Sequence, residues 1–120
     1  MFRTIVADDE PEFRTWLRSL LDNNQNFQVV GESGSGQETL HLTRLLVPDL
    51  VLVDMYMPDL DGLEVTRHIR QYFPNIKTIL ISAYEDRVYE RLASEGGALA
   101  FIPKASLSLD ALHKALQKGK

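Results

Sequence analysis

The chain has no cysteine. Disulfides, thiolate catalysis and cysteine-ligated zinc are therefore excluded. No apolar run approaches the roughly 20 residues of a membrane span, and no signal peptide follows Met1. We therefore expect a cytoplasmic protein with no membrane attachment. An excess of positive charge is also missing, because the formal net charge is −4, which argues against this domain binding nucleic acid by itself.

What is present is the composition of one soluble globular domain covering residues 1–120, with 44% hydrophobic and 25% charged residues. Apolar segments alternate five times with amphipathic segments of helical spacing. The expected strands are 4–7, 27–31, 50–53, 76–81 and 99–102. The expected helices cover 13–21, 37–46, 63–72, 86–95 and 108–116, and residues 117–120 are either a frayed end or the start of a linker. Gly96-Gly97 is a stop signal for the fourth helix.

Strands that alternate with helices predict an α/β domain with a parallel sheet covered on both faces. Right-handed crossovers limit the topologies. We expect a doubly wound sheet of five strands in the order 2-1-3-4-5, the flavodoxin-like arrangement. In that order strands 1 and 3 are neighbours where the winding reverses. Ligands bind there, outside the carboxyl ends of the strands.

Charged and polar residues stand at these strand ends. Asp8 and Asp9 follow the first strand, and Asp54 follows the third. Ser82 follows the fourth strand and Lys104 the fifth. Converging carboxylates repel one another, so at least one tends to keep its proton unless a cation compensates. Mg²⁺ prefers oxygen ligands and retains waters, so these residue types predict a magnesium site where a phosphoryl group is moved onto a carboxylate.

The order and spacing of these residues resemble the receiver domain of two-component response regulators over essentially the whole chain. The resemblance rests on the strand-end residues together with two segments, Met-Pro-Asp-Leu-Asp-Gly at 57–62 and Phe-Ile-Pro-Lys at 101–104. Each motif is weak alone, and together they are highly specific. Segments 94–98 and 104–109 look most like the NarL/FixJ (LuxR-type) branch.

The resemblance implies roles for individual residues. Asp54 would accept a phosphoryl group from the phosphohistidine of a sensor histidine kinase. Asp9 and Asp54 would bind Mg²⁺ directly, together with the backbone carbonyl of Tyr56, while Asp8 would act through water. Lys104 would pair with the phosphoryl oxygens.

The resemblance also implies a switch. Ser82 would hydrogen-bond the phosphoryl group once it is present, and Phe101 would change rotamer in response. The fourth and fifth strands and helices would carry the signal. The domain would not be an enzyme acting on other molecules, since phosphotransfer and dephosphorylation concern its own aspartate. Members of the branch usually carry a C-terminal helix-turn-helix domain, so we expect DNA binding only through a domain outside this chain, and a phosphorylation-linked homodimer.

Several positions depart from the common receiver pattern. Ala105 replaces a proline that many receivers have after the lysine, and a cis bond to alanine would cost about 3 kcal/mol. We therefore expect a trans bond or a strained loop. Ser82 replaces the commoner threonine, and Phe101 has no hydroxyl group. Our hypothesis for Tyr56 and Tyr84 is that one or both restrict attacking water and prolong the acyl phosphate.

Other interpretations stay open. A stand-alone receiver is one, and a degenerate docking domain another. A phosphohydrolase with an aspartyl-phosphate intermediate, as in the haloacid-dehalogenase-like enzymes, is disfavoured because Asp54 has Tyr56 rather than an acid two residues later.

Some further residues have expected structural roles. Asp59 is expected to be a loop acid, Asp61 the N-cap of the third helix, the segment 34–36 a flexible loop, and Trp16 a packing residue. The histidines His41, His68 and His113 are expected at the surface.

Overall fold

The computed structural model describes residues 1–85 and 87–118. Over these residues five strands form one parallel sheet: β1 (Phe2–Ala7), β2 (Phe27–Ser33), β3 (Leu50–Asp54), β4 (Lys77–Ser82) and β5 (Ala100–Pro103). The helices are α1 (Pro11–Asp22), α2 (Gly36–Leu46), α3 (Gly62–Tyr72), α4 (Arg87–Glu95) and α5 (Leu109–Gln117). The strand order β2-β1-β3-β4-β5 confirms the predicted doubly wound topology.

The predicted elements are confirmed, with shifts at their ends. β2 continues to Ser33, while β4 and β5 each begin one residue later than expected. Asp86, the first residue of the predicted fourth helix, lies outside the described residues, as do residues 119 and 120 of the expected frayed end or linker. A 3₁₀ turn at Lys104–Ser106 was not predicted. Among the described helices, none has the length and apolar content needed to cross a bilayer.

The sheet places its side chains alternately in two apolar layers. Leu50 and Leu52 of β3 pack in the layer of α1 and α5, whereas Val51 and Val53 pack in the layer of α2, α3 and α4. All five residues of β3 are buried because helices cover both faces. Burial of each such side chain contributes about 1.5–3 kcal/mol. Asp54 therefore ends a strand that is firmly fixed on both sides.

Acidic side chains fix the loops on the functional side of the sheet. Asp61 is the N-cap of α3, as predicted, and its carboxylate accepts a hydrogen bond from the Glu64 N–H at 2.8 Å. Asp59 is more than a loop acid, because it accepts from the N–H groups of Gly36 and Gln37 at 2.7 and 2.9 Å. These backbone donors, the Gln37 N–H most strongly, lower the pKa of Asp59. The carboxylate thus ties the β3–α3 loop to the start of α2.

Two glycines allow close packing around this frame. A Cβ at Gly62 would collide with the carbonyl oxygen of Asp54 and lie 2.6 Å from a methyl group of Leu80. Gly97, the second residue of the predicted stop signal of α4, has a φ of +100°. The backbone of Asp54 is therefore in contact with the first residue of α3, which limits how far either can move.

Candidate functional site

The register of the parallel strands brings the predicted residues to one edge. Asp54 lies beside Ile81 in the β3–β4 pair. Ser82, the next residue of β4, lies beside Pro103 of β5, and Lys104 follows Pro103. The carboxyl ends of three neighbouring strands therefore place an acid, a hydroxyl and an ammonium together, as the sequence predicted.

The ammonium of Lys104 is the positive charge at the centre of this site. Its Nζ lies 2.8 Å from Asp8 Oδ2, 3.1 Å from Glu10 Oε1 and 3.9 Å from Asp54 Oδ2. It also lies 4.2 Å from the ring centroid of Phe13. Burial opposes protonation of this lysine, but the hydrogen bond to Asp8 and the charge of Asp54 prevail and raise its pKa.

Asp54 is a buried carboxylate with an incomplete set of partners. Only 5% of the residue is exposed, and among the described residues its Oδ1 has no hydrogen-bond partner. Burial and the negative charge of Asp8 raise its pKa to about 7, although Lys104 and the Tyr56 N–H oppose the rise. Burial is the larger cause, and the repulsion between neighbouring carboxylates acts in the same direction.

The acidic residues fit a hard divalent cation. Oxygens of Asp8, Asp9 and Glu10 lie within 4.8 Å of one another. Over the described chain Asp54 is not in that group, but its unpartnered Oδ1 is a donor that a cation could take up. Carboxylate oxygens are the ligands that Mg²⁺ accepts. The donor set therefore fits the predicted metal, with Glu10 as an acid that the sequence prediction did not include.

A cavity of about 460 Å³ opens over the site. Its lining combines acids, the lysine and two tyrosines: Asp9, Glu10, Asp54, Tyr56, Ala83, Tyr84 and Lys104. The rings of Tyr56 and Tyr84 meet edge to face at 6.0 Å, and Tyr56 meets Tyr89 of α4 in the same way at 6.1 Å. The tyrosines form an aromatic wall beside the acids.

A family model matches nearly the whole chain. The model described as the response regulator receiver domain covers residues 4–117. The chain belongs to the response regulator receiver family. Receiver domains of this family are the signalling domains of two-component systems.

Curated relatives of this receiver include response regulators of two bacteria. Response regulator GacA of Pseudomonas viridiflava is 35% identical over 106 residues, which are 88% of this chain and 50% of the relative. Response regulator protein VraR of Staphylococcus saprophyticus is 32% identical over 118 residues, 97% of this chain and 55% of the relative. The receiver therefore spans about half the length of these curated relatives.

Two solved structures of response regulators have a similar fold. The signal receiver domain of NarL from Mycobacterium tuberculosis is 31% identical, with a TM-score of 0.87 and 96% of each chain covered. A LuxR-family response regulator from Aurantimonas sp. is 28% identical, with a TM-score of 0.91, covering 100% of this chain and 87% of that chain.

The predicted switch residues of the receiver lie near the site in different environments. Ser82 is fully buried, and its hydroxyl accepts a hydrogen bond from the Tyr84 N–H at 3.1 Å. Phe101 is half-buried in β5 and lines a second cavity of about 460 Å³ with Glu85, Arg87, Glu90 and Pro103. The peptide bond between Lys104 and Ala105 is trans, one of the two expected arrangements.

Sequence reasoning missed two residues at the site, Glu10 and Phe13. Both contact Lys104 from the start of α1, a contact between residues 94 positions apart in the case of Glu10. The only sequence signal was an acid directly after Asp8-Asp9. The prediction for Trp16 was incomplete, because its ring packs on Phe13 at 5.5 Å yet the residue is 46% exposed.

The histidines are not all plain surface residues. His41 is exposed, as expected. His68 is half-buried with its ring 4.6 Å from that of Tyr72, and His113 is half-buried in a stack on Phe27 at 5.6 Å. Neighbouring rings cover these two imidazoles, which helical spacing alone did not indicate.

Proposed function

We propose that this receiver is a phosphorylation-dependent switch whose Asp54 accepts a phosphoryl group from the phosphohistidine of a sensor histidine kinase. The observation that carries the proposal is the state of Asp54 itself. It is buried at the end of β3, its Oδ1 lacks a hydrogen-bond partner within the described chain, and the Lys104 ammonium lies 3.9 Å from its Oδ2. A nucleophilic carboxylate next to a mobile positive charge suits phosphoryl transfer.

In the proposed transfer a carboxylate oxygen of Asp54 bonds to phosphorus while the phosphorus–nitrogen bond of phosphohistidine breaks. The electron pair of that bond stays with the imidazole. Lys104 moves its ammonium toward the phosphoryl oxygens, and the Ser82 hydroxyl donates a hydrogen bond to them. The modification adds about −1.5 to −2 charges, so contacts made only in the modified state shift the equilibrium between two conformations.

The residues proposed to hold Mg²⁺ are Asp9 and Asp54, with the backbone carbonyl of Tyr56 and with Asp8 acting through water. The unpartnered Oδ1 of Asp54 supports this assignment, as does the close approach of the Asp8 and Asp9 carboxylates. A bound Mg²⁺ would shield the charge that otherwise repels an incoming phosphoryl group.

The proposed readout runs through Ser82 and Phe101. When the Ser82 side chain turns toward the phosphoryl group, it changes the space available next to β5. Phe101 then changes rotamer in response. Its half-buried position beside a cavity supports this, because the ring has room that a fully packed core residue lacks. The face formed by β4, β5, α4 and α5 then carries the signal.

The proposed output is control of transcription in the cytoplasm, through a DNA-binding domain outside this chain, with phosphorylation-linked homodimerisation. Two observations support it. The chain covers about half of its curated relatives, and one relative is the transcriptional regulatory protein DegU of Brevibacillus brevis, 29% identical over 113 residues. Sedimentation with and without beryllofluoride tests the dimer, and identical profiles would contradict it.

The phosphoacceptor proposal is tested by incubating the chain with acetyl phosphate and Mg²⁺ and recording intact mass. We expect a stable gain of one phosphoryl group that is lost in Asp54→Asn. Asp49→Asn is the matched control, because it makes the same substitution just before the other end of β3 and should keep the mass gain. Continuous release of phosphate would favour a phosphohydrolase. No mass gain and no beryllofluoride binding would favour a docking domain.

A further inference from the structure

Besides Asp8, two side chains from the start of α1 contact the Lys104 ammonium. Lys104 donates a hydrogen bond of 3.1 Å to Glu10 Oε1, and its Nζ lies over the Phe13 ring. The distance of 3.9 Å from Nζ to Asp54 Oδ2 is too long for a hydrogen bond. Its shortest contact is with Asp8 Oδ2 at 2.8 Å, so the resting ammonium is held by Asp8, Glu10 and the Phe13 ring rather than by Asp54.

Hydrogen bonds fix the backbone of Glu10, while its carboxylate accepts a hydrogen bond from Lys104. Its N–H donates to Asp8 Oδ1 at 2.8 Å, and its carbonyl accepts from the Arg14 N–H at 3.1 Å. Glu10 occupies the N-cap position of α1, yet in the part of the chain that the structure describes its side chain makes no capping bond. The side chain is 66% exposed, so water can replace Lys104 at little cost.

We propose that Glu10 is a positioning residue that competes with the phosphoryl group for Lys104. The inference rests on the proposed function, in which Asp54 is phosphorylated. In the unmodified receiver Glu10 and the Phe13 ring hold the ammonium together with Asp8. In the modified receiver the ammonium leaves Glu10 for the phosphoryl oxygens. Since the resting contact must be given up, Glu10 lowers the stability of the modified state relative to the unmodified state.

A different role for Glu10 has to be separated from this one. Its carboxylate also lies within 4.8 Å of those of Asp8 and Asp9, as a cation ligand would. The hydrogen bond to Lys104 favours the positioning role. The two roles predict different results when the negative charge of Glu10 is removed. Loss of a metal ligand would weaken Mg²⁺ binding, whereas loss of a competitor for Lys104 would strengthen phosphoryl binding.

The test measures beryllofluoride affinity at saturating Mg²⁺, and Mg²⁺ affinity separately, in the wild-type chain, Glu10→Gln and Glu12→Gln. Glu12 is exposed in the first turn of α1, so its substitution makes the same charge change without touching Lys104. We expect Glu10→Gln to tighten beryllofluoride binding about two- to fivefold, the range of a partly exposed ion pair. Its Mg²⁺ affinity should change no more than that of Glu12→Gln.

Weaker Mg²⁺ binding in Glu10→Gln alone would overturn the proposal and make Glu10 a ligand. Equal changes in both variants would overturn it in favour of general electrostatics. A second readout concerns the resting state. The Phe13 ring should shift the ε-methylene proton resonances of Lys104 upfield in the metal-free protein, and Glu10→Gln should reduce that shift. Unchanged resonances would contradict the resting contact, whereas a wild-type chain that keeps the shift but fails to bind beryllofluoride would contradict the proposed function instead.

Discussion

The charged residues at the two ends of the parallel sheet differ in burial and in hydrogen bonding. At the amino end Asp49 is exposed and its Oδ2 accepts the Arg3 N–H at 2.8 Å. The Arg3 guanidinium donates to the carbonyls of Leu46 and Val47, both at 2.9 Å. The Asp49 N–H also donates a hydrogen bond to the Arg3 carbonyl. Charges at this end tie the end of α2 and the start of β3 to β1.

At the carboxyl end two of the carboxylates, Asp8 and Asp54, are buried, and Asp54 is less well satisfied. Asp54 is 5% exposed with an Oδ1 that finds no hydrogen-bond partner in the described chain, and three carboxylates share the ammonium of Lys104. A buried polar group without a partner costs about 1–3 kcal/mol. The charged residues at the amino end therefore stabilise the fold. Those at the carboxyl end destabilise it but leave polar atoms available for a ligand.

The largest expected effect concerns how tightly the carboxyl end is packed. Gly62→Ala should destabilise the fold by about 3 kcal/mol, because the added methyl group would collide with the Asp54 carbonyl and lie 2.6 Å from Leu80. Urea unfolding measures the loss. Gly34→Ala is the control at the same end, because among the described residues its methyl group would approach only the end of the Arg14 side chain, at 3.3 Å. Equal stabilities of the two variants would show that this end is loosely packed.

The next effect is the stability penalty of Asp54 and its dependence on pH. The pKa of Asp54 is about 7 in the fold and 3.8 ordinarily, so between these values the folded state binds more protons than the unfolded state. The stability of the metal-free protein should therefore fall as pH rises from about 4 to about 7. Asp54→Asn should remove this fall and be more stable at pH 8 by on the order of 2 kcal/mol.

Urea unfolding of metal-free protein at pH 5 and pH 8 measures this difference, and added Mg²⁺ should reduce it in the wild-type chain. Parallel pH profiles of the wild type and Asp54→Asn would show that the buried carboxylate carries no penalty.

A smaller effect is expected at the amino end. Asp49→Ala should destabilise the fold by about 1 kcal/mol, because the Arg3 N–H loses its acceptor. Phosphorylation by acetyl phosphate should be unchanged, since this end carries no part of the proposed chemistry. A loss of phosphorylation in the folded variant would mean that the two ends are coupled rather than separate.

The smallest effect concerns the aromatic wall. Tyr56→Asn and Tyr84→Ala should shorten the lifetime of the phosphorylated receiver several-fold, because the rings that line the cavity restrict attacking water. Loss of the phosphoryl mass over time measures this. Tyr72→Ala, which removes an exposed ring at the other end of α3, is the control. Unchanged lifetimes in both site variants would end the hypothesis.

Features that depend on residues close together along the chain could be predicted from the sequence, and contacts between distant residues could not. Strand order and the strand-end positions of Asp54, Ser82 and Lys104 follow from apolar periodicity and from general rules of parallel sheets. The cap at Asp61 follows because its partner is three residues away. Asp59 is a loop acid as predicted, but its bonds to Gly36 and Gln37 were not predicted because these partners are more than 20 residues distant. Side-chain contacts between loops depend on the assembled geometry, which no local pattern encodes.

The wide separation of the site residues along the chain has a consequence for synthesis. Asp8 and Lys104 are joined at 2.8 Å in the fold, yet Lys104 is the last of the site residues to be made. At about 5–20 residues per second, a ribosome needs several seconds or more between the two. During that interval the nascent chain exposes its acids without their lysine. If Lys104 takes part as proposed, the receiver should become competent to accept a phosphoryl group only after Lys104, which follows β5, has left the ribosome.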